Sequence, residues 1–141
     1  MKILIAADGS SYTKRMLAYL AAHDEWLGGG RHQYTVLNTV SPVPARAAAV
    51  IDRDTLKSYY ADTSEAVFKP IRSFFKKQGI EASFVAKVGH APEVIAKAAD
   101  AQNFDLLMMG SHGHGSIGNL VMGSVVTKVL ASCKTPLLIV R

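Results

Sequence analysis

Short apolar runs without polar alternation recur along the chain, each followed by a longer amphipathic stretch. Ile3 to Ala7, Thr35 to Val40, Ala82 to Val88, Leu106 to Met109 and Leu137 to Val140 read as five strands, mostly buried on both faces as parallel strands are. Between them lie helical patterns. Ser10 or Ser11 can cap a helix running to about Leu27, with Met16, Leu17, Leu20 and Ala21 inward and Gly28-Gly29-Gly30 ending it. A second helix, about 53 to 78, places Leu56, Tyr60, Val67, Ile71 and Phe74 on one stripe; Pro70 inside it should kink or split it, and Gly79 stops it. A third begins around Pro92 and packs Val94, Ile95, Ala98 and Ala99, and a fourth begins near Ser124 and packs Val125, Val126, Val129 and Leu130. Strand alternating with helix predicts a three-layer α/β fold, a parallel sheet covered on both faces by right-handed crossovers.

The 141 residues suit a single domain over 1–141, and 49% hydrophobic against 19% charged residues excludes a disordered chain. The apolar opening meets Asp8 too soon for a secretory signal, and no apolar run approaches the roughly 18 residues needed to cross a bilayer, so a cytoplasmic address is expected. The single cysteine, Cys133, cannot form an internal disulfide and suits a reducing compartment. A net charge of +5 favours anionic partners in general. It does not indicate nucleic acid: between residues 53 and 77 the basic positions Arg53, Lys57, Lys69, Arg72, Lys76 and Lys77 are diluted by Asp54, Asp62 and Glu65, and no aromatic stacking motif interleaves with them.

An open parallel sheet binds ligands at the carboxyl ends of its strands, where strand order reverses. The residues following the strands are therefore the candidates, above all the stretch Gly110-Ser111-His112-Gly113-His114-Gly115-Ser116-Ile117-Gly118-Asn119-Leu120-Val121-Met122-Gly123-Ser124. Glycine loses more backbone entropy on ordering than any other residue, so a stretch this rich in it implies a need for bare backbone. Positive φ and close approach would let consecutive N–H groups turn inward as an anion-binding nest, and Ser124 opens a helix whose free N–H groups favour negative charge. No acidic residue follows Asp105, while Lys128, Lys134 and Arg141 do. Phosphate is the expected guest.

Two common phosphate motifs do not fit. Gly113 to Gly118 satisfies G-x-G-x-x-G, but the acidic residue that would hold a ribose about 20 positions on is missing. Gly118 and Gly123 have P-loop spacing, yet Ser124 and Val125 occupy the Lys and Ser/Thr positions.

Gly110-x2-Gly113-x9-Gly123-Ser124 instead resembles the G-x2-G-x9-G-[S/T] motif of the ATP-binding branch of the universal stress protein family. The likeness covers nearly the whole chain: Ile3 to Ser10 is similar to the family's first strand and acidic turn, Val40-Ser41-Pro42 to the end of its second strand, Gly89 to Ile95 to its Gly-x-Pro-x-x-x-Ile step, and Pro136 to Val140 to its closing strand. Pro70 fits the family pattern less well. The resemblance implies strand order 3-2-1-4-5 and ATP across the ends of the first and fourth strands. By position, Asp8, with Ala7 before it, and the backbone at Val40 would meet the adenosine part and Gly110 the ribose region. Gly113, His114, Gly115 and Ser116 with Gly123, Ser124 and Val125 would meet the phosphates, and Ser111 and His112 complete the loop. It also implies a homodimer through the last strand, where Leu137 to Val140 is an apolar sheet edge needing cover.

Plainer readings stand beside these. Asp8-Gly9-Ser10 is ordinary turn and capping chemistry. His90, His112 and His114 include a His-x-His spacing, but without cysteine and with few carboxylates nearby no protein metal site is expected; Mg²⁺ held mainly by phosphate oxygens fits better. No catalytic base is evident, and Ser111, Ser116 and Ser124 read as phosphate donors rather than nucleophiles. The expected function is nucleotide-dependent regulation in a stress response. The alternatives are slow ATP hydrolysis or autophosphorylation in the same pocket, and a dimeric interaction module with an empty loop.

Overall fold

The computed structural model of the protein describes residues 1–28, 30–115 and 119–141. Strands β1 (Lys2–Ala6), β2 (Gln33–Val40), β3 (Ala82–Val88), β4 (Leu106–Gly110) and β5 (Leu137–Val140) form one all-parallel sheet in the order β3-β2-β1-β4-β5. The order 3-2-1-4-5 agrees with expectation. In register, Ile3 lies opposite both Tyr34 and Leu106, Tyr34 opposite Ala82, and Leu107 opposite Leu137.

Helices α1 (Ser11–Ala22) and α4 (Arg53–Lys77) cover one face, burying Met16, Leu17, Leu20, Phe68, Ile71 and Phe75 against Ile3, Ile5, Tyr34, Val36 and Met108. Helices α5 (Ala91–Ala101) and α6 (Ser124–Ser132) cover the other, with Ile95, Ala98, Ala99, Val126 and Val129 on Leu4, Leu37, Leu107 and Met109. The unalternated runs of β1 and β4 are thus explained by burial from both sides. The edge strand β3 departs from that expectation, because Ser83, Ala86, Lys87 and Val88 are exposed. It has one strand neighbour, and α5 packs over β2 rather than β3. Leu130 of α6 is likewise exposed.

Three local expectations are corrected. The first helix stops at Ala22, and a separate turn α2 (Asp24–Leu27) follows. The His23 ring Nδ1–H donates to the Tyr19 carbonyl at 2.8 Å, displacing the backbone amide, which turns to the Leu20 carbonyl instead. Pro70 does not split α4, which runs unbroken. Pro70 and Ala66, whose carbonyl loses its amide partner, are both exposed, so water can satisfy the orphan while Phe68, Ile71 and Phe75 anchor both sides. Ser10 holds the N-cap position of α1 but its side chain makes no cap bond. A further short helix, α3 (Ala45–Ala48), lies in the β2–α4 connection.

One buried polar network positions the end of β1. Asn38 Nδ2 donates to the Ala7 carbonyl at 2.8 Å, and Asn38 Oδ1 accepts from Ser64 Oγ of α4 at 3.0 Å. A side-chain amide thus satisfies the carbonyl where the chain leaves the sheet.

Candidate functional site

Beyond β1 the chain turns sharply on Asp8 and Gly9, the latter at φ +79°. Asp8 Oδ1 accepts from the Ser10 amide at 2.9 Å and the Thr13 hydroxyl at 3.1 Å, while Thr13 Oγ1 accepts from the amides of Asp8 and Gly9 at 3.2 Å each. This local turn chemistry uses one carboxylate oxygen. The other, Oδ2, lies where a Cβ added at Gly113 would come within 2.7 Å of it. Turn residue and cleft residue are therefore one and the same.

The glycine loop lies against this turn. A Cβ at Gly110 would sit 2.6 Å from Tyr12 Cβ, and one at Gly123 would sit 3.2 Å from His112 Cα. Close approach is what these positions require. Among the described residues no glycine of the loop has positive φ, so Gly110, Gly113, Gly115 and Gly123 do not adopt the left-handed conformation expected of a nest. Two histidines pin the loop. His112 Nε2–H donates to the Leu120 carbonyl at 2.7 Å, and His114 Nε2–H reaches across to the Asp8 carbonyl at 2.8 Å.

Turn and loop enclose a cleft of about 220 Å³ at the carboxyl ends of β1 and β4, where the strand order reverses. Ala7, Asp8, Gly110, His112, Gly113, His114, Gly115, Gly123, Ser124 and Val125 line it. Gly123 is the N-cap of α6, so the first-turn amides of that helix, which have no intrahelical partner, stand at the wall. Ala6, Leu37, Ala91, Ile95 and Met109 form an apolar floor, and Thr13 and Thr39 add hydroxyls. Sequence reasoning missed these residues because they are ordinary strand and helix positions. Only strand alternation could have singled out Leu37 and Thr39, which share a face near the end of β2.

Two expected residues do not line the cleft. The Val40 carbonyl accepts from the Gly89 amide at 3.0 Å, in continuation of the β2–β3 ladder. Ser111 is 1% exposed: its amide donates to the Val140 carbonyl, its carbonyl accepts from the Gly123 amide, and its Oγ is 2.9 Å from His112 Nδ1. Sheet continuation has consumed both. Ser116 lies outside the described residues.

A larger groove of about 950 Å³ runs along the opposite, amino ends of the strands. Of its cations, Lys2 donates to the Gln102 carbonyl and Arg72 pairs with Glu65 over the Phe84 ring, and Lys76 lines it as well. Among the described residues no group of His, Cys, Asp and Glu could hold a metal ion, and no helix is long and apolar enough to cross a membrane.

Comparison with known proteins agrees with this architecture. A universal stress protein of Synechocystis is 31% identical over 140 residues, 99% of this chain, which spans 42% of that relative's length. A universal stress protein of Thermus aquaticus is 30% identical over 139 residues, covering 99% of this chain and 97% of the relative. Among solved structures, a universal stress protein from Lactobacillus plantarum superposes with a TM-score of 0.77 at 17% identity, over 100% of this chain and 97% of that one. One from Arabidopsis thaliana with AMP bound gives 0.70 at 13% identity over 99% and 90%. One from Archaeoglobus fulgidus in complex with dAMP gives 0.63 at 20% identity over 100% and 98%. The family description "Universal stress protein family" matches residues 1–141. By sequence over its whole length, and with the fold to go with it, this chain belongs to the universal stress protein family.

Proposed function

We propose that the protein binds an adenine nucleotide in the cleft between the Asp8 turn and the glycine loop, and that occupancy rather than turnover is what it conveys. The carrying observation is the meeting of Asp8, Gly113 and the α6 N-terminus on one cavity at the strand-order reversal. The apolar floor suits a purine, and the bare backbone at Gly113, Gly115 and Gly123 with the amides of Ser124 and Val125 suits phosphate. The solved relatives carrying AMP and dAMP support an adenine nucleotide. The G-x2-G-x9-G-[S/T] spacing favours ATP. With Asp8 the only carboxylate among the described residues of the lining, Mg²⁺ would be held mainly by phosphate oxygens and water.

Turnover finds little support in the geometry. Ser111 and His112 are in hydrogen-bond contact, but the hydroxyl is buried away from the cleft, and the other imidazole nitrogen is committed to a carbonyl rather than a carboxylate. The same proposal includes a single functional domain over 1–141 and pairing of two copies along the outer edge of β5, which has one strand neighbour.

The experiment is thermal unfolding with and without Mg·ATP. At a hundredfold excess over Kd, binding stabilises by about 2.7 kcal/mol. The wild type should melt higher with nucleotide, whereas Gly113→Val and Gly123→Val, which push side chains into Asp8 and the His112 backbone, should not respond. A wild type indifferent to every adenine nucleotide, with none released on denaturation, would overturn the proposal.

A further inference from the structure

The cleft has an unusual charge balance for a phosphate site. Among the described residues lining it there is no Lys or Arg, and the titratable side chains are Asp8, His112 and His114. Residues 116–118 of the loop are Ser, Ile and Gly and bring no cation. With both imidazoles neutral, the one charged side chain a ligand phosphate meets is the Asp8 carboxylate, which repels it. Neighbouring elements do not change this. On α1, Arg15 lies over the outer Tyr12 ring, 4.7 Å from its centroid, and Tyr12 in turn packs 5.0 Å from His112. Neither lines the cavity. The residues of α5 and α6 in the lining are not titratable, and His90 and Glu93, at the start of α5, face each other at 3.7 Å outside it.

The hydrogen bonds of the two histidines determine what protonation does. A carbonyl oxygen only accepts, so His114 Nε2, bonded to the Asp8 carbonyl, carries its hydrogen in both charge states. The proton gained or lost is therefore the one on Nδ1. The same holds for His112, whose Nε2 is bonded to the Leu120 carbonyl and whose Nδ1 meets the Ser111 hydroxyl, a group that can donate to neutral imidazole or accept from imidazolium. Either ring can change charge without releasing the loop. Of the two, His114 bridges directly to the Asp8 backbone and has no bond on Nδ1 among the described residues.

We infer that His114 is a specificity-determining residue of this cleft: its imidazolium, beside Asp8, is the positive charge that a ligand phosphate meets. Phosphorylated nucleosides then bind more tightly as the pH falls and the ring gains its second proton, while unphosphorylated nucleosides do not respond. The inference rests on the nucleotide reading above and adds to it a proton-dependent preference for phosphate. Backbone amides alone would give no such dependence.

The test is calorimetry on the full chain with two probes, adenosine and the methyl ester of AMP, at about pH 8 and about pH 6. The ester is a phosphodiester that keeps a single charge, whereas AMP itself ionises a second time near pH 6 and would confuse the comparison. The wild type should bind the ester about tenfold more tightly at the lower pH, as expected for the gain of one charge-assisted hydrogen bond from the newly protonated Nδ1, and adenosine equally at both. His114→Gln should abolish the ester's response, and His90→Gln, at a ring that faces Glu93 outside the cavity, should keep it. Should His114→Gln prove unfolded, NMR titration of the wild-type His114 ring must show its protonation shifted to higher pH by the ester and not by adenosine. A response surviving in folded His114→Gln, or equal ester affinity at both pH values alongside intact adenosine binding, overturns the inference and leaves the nucleotide reading standing. Failure of adenosine and ester alike to bind overturns both.

Discussion

Ser10 occupies the N-cap of α1 at 4% exposure, and its hydroxyl has no hydrogen-bond partner among the described residues. Its residue type marks a helix start correctly, but Asp8, two positions earlier, takes the turn by accepting the Ser10 amide. An unsatisfied buried hydroxyl costs about 1–3 kcal/mol, part of which its removal returns. Ser10→Ala should therefore leave stability unchanged or raise it by up to about 1 kcal/mol in urea unfolding, where loss of a working cap would cost about as much. A marked destabilisation would mean that the hydroxyl is bonded after all. The glycines teach a related lesson. Their number announces bare backbone, but the reason at Gly110 and Gly113 is the proximity of Tyr12 and Asp8, residues about a hundred positions away in the sequence that no local pattern identifies.

At the scale of elements, helix existence was legible and helix integrity was not. The existence of α4 and of the Pro-initiated α5 follows from periodicity, but of the expected α4 stripe Ile71 alone is fully buried and Val67 and Phe74 partly so, while Phe68 and Phe75 take the core positions. The stop at His23 depends on one imidazole reaching a carbonyl, and the survival of α4 past Pro70 depends on its outer side facing water. Asp100 is a further case, a carboxylate near the C-terminus of α5 where the helix dipole disfavours it. It is retained there by the segment leading into β5, accepting from the amides of Lys134 and Thr135 and the hydroxyl of Thr135. The Lys134 amide foremost, then the Thr135 hydroxyl, hold its ionisation below the usual carboxylate range. Because the folded-state value is the lower one, its contribution to stability is present above the unfolded carboxylate range, near 4, and is lost as pH falls through the folded value. Asp100→Asn should be less stable than the wild type at neutral pH, and denaturant midpoints should converge on acidification. A gap of constant size down to strong acid would contradict this.

At the scale of the molecule, the sheet leaves two edges, and they differ. β3 carries Lys87, a familiar guard against unwanted pairing, among its exposed residues Ser83, Ala86, Lys87 and Val88, whereas β5 is Leu-Leu-Ile-Val, with no charge and three residues partly exposed. Sedimentation should accordingly show a dimer, and Ile139→Lys, placing a charge in the middle of β5, should shift it to monomer; a monomeric wild type at micromolar concentration would remove β5 from consideration as an interface. By itself the sequence determined the alternation of elements, the parallel layers and the glycine stretch with its helix start, because each is written in local periodicity or in residue types whose backbone preferences act over a few positions. The tertiary structure decided which polar groups remained at the cleft. The Val40 carbonyl went to Gly89, Ser111 went to β5 and the Gly123 amide, and Asn38 was drawn under Ala7 by Ser64, while Asp8 Oδ2, the Thr39 hydroxyl, the helix amides and His114 stay at the cleft. Those assignments are settled by competition for partners across distant segments, and each buried group must be satisfied by whatever the assembled fold brings near it.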